Sequence, residues 1–188
     1  DGSTLIGSTF AGTSQFDQAY FMDIGPEENV YLFGQTRGNY PVTNGKYFNT
    51  NAGQFIHKLD KNLRESMWST VIGSSSITVR PNISPTAFLV NDCGMILFSG
   101  WGGNVNSTTD LVYCWDSSGD VTDTMTLTSG YNGGTTDNMP ITANAFQDKT
   151  DGSDFYLCLL DDGATELLYG TYFGADQVAD HVDGGTSR

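Results

Sequence analysis

Gly53-Gln54-Phe55-Ile56-His57-Lys58-Leu59-Asp60, continued after a short polar break by Trp68-Ser69-Thr70-Val71-Ile72-Gly73, is the stretch on which the fold turns. Two short runs rich in aromatic and β-branched side chains flank a turn carrying Asp60, Lys61 and Asn62. Such side chains suit a pleated surface, and Asp and Asn suit the tight turn between strands. The stretch predicts an antiparallel hairpin.

The same order returns further along. Upstream of the hairpin stand Phe33-Gly34-Gln35-Thr36 and Tyr40-Pro41-Val42-Thr43; the second half offers Ser99-Gly100-Trp101-Gly102, Met139-Pro140-Ile141-Thr142, Phe155-Tyr156-Leu157-Cys158-Leu159-Leu160 and Tyr169-Gly170-Thr171-Tyr172-Phe173-Gly174. Pro41 to Pro140 is 99 residues, Phe55 to Phe155 is 100 and Gly73 to Gly174 is 101, whereas Gly34 to Gly100 is only 66. The second copy therefore carries an insertion of about 33 residues between Gly103 and Met139. A third, partial copy opens the chain, with Ile6-Gly7-Ser8-Thr9-Phe10-Ala11-Gly12 matching the closing strand.

Helical periodicity is almost absent. Strands are expected at 18–24, 29–35, 54–59, 67–72, 86–90, 95–100, 111–115, 154–160 and 166–173, bounded by Gly, Asn, Asp and Ser. Each copy then has four antiparallel strands, which is the blade of a β-propeller, and a lone blade needs a neighbour to bury its faces. The expected organisation is a closing strand at 1–15, a blade at 16–79, a second blade at 80–179 with an inserted hairpin at about 104–138, and the start of another at 180–188. Two blades make no ring, so a longer parent or other chains are expected to complete it. The alternative is a β-sandwich with a fortuitous duplication. The opening on Asp1, without Met or a leader, is read as a processed or excised piece.

Acids outnumber bases by 22 to 8, a net charge of −14. A nucleic-acid partner needs a basic footprint and an anionic membrane surface needs the same, so both are set aside. No stretch reaches the roughly 18 apolar residues of a membrane-spanning helix. Three cysteines cannot all pair within one chain. Cys158, inside an apolar run, reads as a buried small hydrophobe; a Cys93–Cys114 disulfide and free thiols both stay open.

The order Gly-Gln-Thr at 34–36, Tyr-Pro-Val-Thr at 40–43, Gly-Gln-Phe-Ile-His-Lys-Leu-Asp at 53–60 and Trp-Ser-Thr at 68–70 resembles the bacterial β-propeller repeat known as the SBBP repeat. The segment 181–188 resembles stretches of very large surface proteins of Bacteroidota, which carry immunoglobulin-like domains and a gliding-motility-associated sorting domain. The resemblance implies an exported, cell-surface or extracellular protein, sent out by the type IX secretion route. It brings no catalytic residues, because the repeat as such has none.

The residues themselves supply no hydrolase elbow, zinc helix or phosphate loop. His57 lies mid-strand, and its place in the second copy is read as Leu157, so it is assigned to packing. His181 stands between Asp180 and Asp183 in what reads as a solvated turn. Calcium takes six to eight oxygens. Asp148, Asp151 and Asp154, with Ser153, form one candidate loop for it, and Asp116, Ser117, Ser118 and Asp120 another; ordinary acidic turns are the competing reading. Trp101, Tyr113, Trp115 and Tyr131 are expected near the inserted hairpin, where aromatic rings beside Asn, Asp and Thr would grip sugar by stacking and hydrogen bonds. The competing reading is that these rings cover the hairpin. A non-catalytic scaffold or adhesion module is the first expectation for function; a carbohydrate-binding propeller and an enzyme with a channel site are the alternatives. Partners are then other blades, other chains, or an extracellular polysaccharide.

Overall fold

The computed structural model describes residues 3–76, 81–102, 108–115, 121–129 and 134–174, with the backbone alone for 108–115 and 121–129. Its strands are β1 (Asp17–Ile24), β2 (Val30–Thr36), β3 (Gln54–Leu59), β4 (Ser66–Ile72), β5 (Ser84–Val90), β6 (Ile96–Trp101), β7 (Thr108–Trp115), β8 (Val121–Ser129), β9 (Phe155–Leu160) and β10 (Leu167–Phe173). The nine strands expected between 18 and 173 are present, with ends moved by at most three residues, whereas the closing strand expected at 1–15 does not form over the described residues 3–15. The described residues contain no helix, and residues 3–16, which carry the partial third copy, contain no strand. The expected strand start at 180–188 lies outside the described residues.

The chain is all-β, with two four-stranded antiparallel sheets. The first runs β1-β2-β3-β4; the second pairs β5 with β6, β6 with β9 and β9 with β10. The inserted hairpin β7-β8 is a separate two-stranded sheet between β6 and β9 in sequence. Tight turns set the register. Asp60 takes the backbone N–H of Asn62, Arg64 and Glu65 on its carboxylate, and Leu63 turns left-handed at φ 57°. Asp161 does the same for Thr165 and Glu166, with Ala164 at φ 51°. A carboxylate that accepts several N–H groups replaces the ladder bonds the chain gives up on reversing.

The two sheets are copies strand by strand. A shift of 66 carries β1-β2 onto β5-β6, and a shift of 101 carries β3-β4 onto β9-β10. The irregularities coincide as well: β1 skips Tyr20 and β5 skips Thr86. This corrects one expected equivalence. Phe55 lies opposite Gly34 and Val71, whereas Phe155 lies opposite Trp101 and Phe173. The counterpart of Phe55 is Tyr156, which faces Gly100 and Tyr172. The two loops are still 99 apart where Thr43 and Thr142 donate to Ser69 and Gly170. The second copy therefore gains two residues, not one, ahead of β9, and matching Phe to Phe overlooks one of them.

Successive residues of a strand point to opposite faces, so every sheet has two distinct sides. The front of the first sheet presents Tyr31, Phe33, Ile56, Trp68 and Ile72; its back presents Leu32, Phe55, His57 and Val71. The main core joins that front to Ile96, Phe98, Tyr156, Cys158, Leu160 and Tyr172. These residues occupy the second sheet's back, the positions equivalent to Val30, Leu32, Phe55, His57, Leu59 and Val71. Phe33 is the keystone, with its ring centroid 4.6 Å from that of Phe98 and 5.4 Å from that of Phe88. The crossing between sheets is fixed by two buried amides. Gln35 and Gln54 both donate to the Ile83 carbonyl, at 2.7 and 3.0 Å, and Asn82 N–H returns a bond to Gln54. Asp23 adds a bond from Val90 N–H at 2.7 Å.

Candidate functional site

The back of the first sheet holds the best-defined polar constellation. β3 places His57 between Leu32 on β2 and Ser69 on β4. Both ring nitrogens are engaged: Nδ1 with Tyr40 Oη at 2.9 Å and Nε2 with Ser66 Oγ at 2.7 Å. Burial holds the imidazole below its ordinary pKa of 6.5, so it is neutral near pH 7 and one nitrogen donates while the other accepts. Tyr40 stacks on Phe55 at 4.3 Å between centroids, and burial, with Asp17 nearby, pushes its phenol up. Ser66 and Tyr40 escape a reading by sequence motif because 26 positions separate them; only the strand pairing brings both to His57.

A hydroxyl on a neutral imidazole is half of a nucleophilic site. The other half is a cleft with donors aimed at a developing oxyanion. The hollow on this side, about 160 Å³, is lined by Tyr40, Val42, Phe48, Asn49, Ala52 and Val71 and does not include His57 or Ser66. The second sheet replaces the trio by Cys158 and Met139 of the core and by Leu167, packed against it. The residue equivalent to His57 is thus Cys158, not Leu157 as read from sequence. Cys158 is free and fully packed, and burial pushes its thiol up. His57 is accordingly a hydrogen-bonded member of the sheet's packing.

The front of the second sheet is the other distinctive surface. It exposes Leu89, Leu97, Phe155, Leu157 and Phe173 together. Trp101 lies opposite Phe155, Phe155 lies opposite Phe173, and the Phe173 ring is 6.1 Å from that of Phe146. Of the aromatic group expected at the hairpin, Trp101 is half-buried on this face. Tyr113 and Trp115 lie on β7, with their backbones opposite Thr124 and Val121. The side chains of Tyr113 and Trp115, and all of Tyr131, lie outside the described residues.

The candidate calcium loop is not assembled as a cluster. Asp154 is buried and accepts from Gln147 Nε2 at 3.0 Å; Asp151 caps Ser153 N–H at 2.8 Å; Asp148 is exposed. Among the described residues no three His, Cys, Asp or Glu side chains are gathered as metal ligands. The loop at 116–120 and His181 lie outside the described residues. Cys93 is exposed and free.

No protein-family model, no curated protein and no solved structure matches the chain. The geometry defines an all-β protein of two packed, duplicated, four-stranded sheets.

Proposed function

We propose that the chain is a propeller-type scaffold segment, a non-catalytic adhesion module that presents its loops on a blade stack at a bacterial surface or outside the cell. The observation that carries this reading is the front-on-back packing of the two copies. A sandwich made by closing a duplicated sheet on itself joins like faces, as a two-fold interface must. Radial repetition joins unlike faces, front of one blade to back of the next. Phe33 on a front packing against Phe98 on a back supports the second pattern. The net charge of −14 suits a soluble display surface.

The exposed aromatic group around Trp101 favours one rival, a carbohydrate-binding propeller. A panel of immobilised polysaccharides, probed with the chain and with its Trp101→Ala and Trp115→Ala variants, separates the two. The scaffold reading expects no retention above an uncoated matrix. Retention of the chain that is lost in either variant replaces it with the carbohydrate reading.

A further inference from the structure

Equivalent positions in the two sheets differ in exposure where one copy packs on the other and its twin meets no neighbour among the described residues. On the front, Ile56 is 0% exposed and its counterpart Leu157 is 41%; Ile72 is 0% and its counterpart Phe173 is 56%. On the back the asymmetry reverses: Val90 is 7% exposed and its counterpart Ile24 is 60%. Among the described residues, one molecule thus carries an open front on its second sheet and a partly open back on its first. Its own interior shows how such a front and such a back fit. An exposed contiguous apolar face of this kind marks an interaction surface.

We infer that the front of the second sheet binds the back of the first sheet of a second copy of this chain, giving head-to-tail self-association. The inference rests on the blade-stack reading. Its occupant is a second copy because that copy brings the matching back, with Met22 and Ile24 exposed on it. The second front differs from the first at the clamp and at the keystone, where Phe33 is matched by Ser99. Gln35 and Gln54 hold the crossing backbone at Ile83; the equivalent positions on the second front are Trp101 and Phe155. Phe155 offers an apolar seat, and Trp101 offers a single indole N–H in place of the amide. A heterologous contact does not use itself up, so growth continues unless the rotation closes a ring.

Sedimentation velocity of the full chain over a wide concentration range tests this, with Leu157→Lys blocking the front and Ile24→Lys blocking the back. The chain alone should rise above the 20.3 kDa monomer, past twice that mass. Each variant alone should remain monomeric, and their equimolar mixture should stop at a dimer, because one good front and one good back remain. Circular dichroism and the thermal midpoint check that both variants fold; Leu89→Lys, also on the exposed front, replaces Leu157→Lys if that variant does not. Association of Ile24→Lys alone into a dimer would mean that fronts meet fronts, which overturns the inference. A wild-type chain that stays monomeric throughout also overturns it and leaves the polysaccharide result, which judges the scaffold reading, untouched.

Discussion

Phe33→Ala tests the stacking of the two sheets at its centre. The Phe33 side chain is completely buried and is wedged between Phe88 and Phe98 of the other sheet. Truncating a buried phenylalanine costs about 3–5 kcal/mol, the larger part from the cavity left where both neighbours are held by their own strands. A typical domain has only about 5–15 kcal/mol in all, so the variant should be folded but marginal. With a urea slope of about 2 kcal/mol per molar, the midpoint should fall by about 2 M. Phe173→Ala is the control. Its side chain lies on the uncovered front of the second sheet, and its removal from the monomer should change stability by less than about 1 kcal/mol. Urea unfolding followed by both tryptophan fluorescence and far-ultraviolet circular dichroism reads both values. Equal losses for the two substitutions, or a Phe33→Ala loss below about 1 kcal/mol, would refute the front-on-back packing.

Two further results are expected. Gly34→Ala should destabilise by well over the about 1 kcal/mol scale of ordinary glycine exchanges, because its Cβ would stand 2.1 Å from the Gln18 carbonyl oxygen across the ladder; calorimetry of the variant measures the loss, and a rise in midpoint would contradict the pairing. His57, held below its ordinary pKa by burial, binds its proton less readily folded than unfolded, so its contribution is intact above about pH 6.5 and is lost as pH falls through the folded value. Urea midpoints at pH 7.5 and 5.5 should therefore differ less for His57→Gln than for the parent chain, and an equal difference would place the titration elsewhere.

Much of the fold was legible because a repeat doubles every signal. The hairpin turns at Asp60 and Asp161 can be read from residue chemistry alone, since Asp is among the few residues that hold such a turn with their own side chain. The insertion was legible as a break in spacing. Register was not. Phe55 and Phe155 look alike, but strands tolerate no half-measures: a shift of one residue sends a side chain to the opposite face. The backbone bonds of Thr43 and Thr142 place the two added residues between 142 and 155, and nothing in the identities of that stretch does. The trio of Tyr40, His57 and Ser66 was hidden for a related reason. Its members come from a loop and two strands, and their meeting depends on the irregular step between Lys58 and Leu59 that shifts β4 against β3. The aromatic front of the second sheet was half visible. Trp101 stood out as a ring, while Phe155 and Leu157 were matched one residue out of register, to Phe55 and His57, and so read as packing, although their counterparts are Gln54 and Ile56.

That last likeness carries its own argument. Isolated exposed hydrophobic residues are common on any protein and mean little. A face is different when every position on it has a twin whose environment is known. Across the front, buried Tyr31, Ile56 and Ile72 correspond to exposed Leu97, Leu157 and Phe173, so these positions stay apolar in the copy whose front is open among the described residues, although Phe33 is matched there by Ser99. Polar residues were available to this chain, which places acids at its turns and at the ends of β1. Gln35 and Gln54, the two amides of the first front, are matched by Trp101 and Phe155, a change toward greater hydrophobicity that at Phe155 falls on a site half open to water. Facing solvent permanently, such a surface would only lower solubility and invite disordered aggregation. Facing a back like that of the first sheet, it gains burial at each of these positions, and the same side chains become the core of a junction.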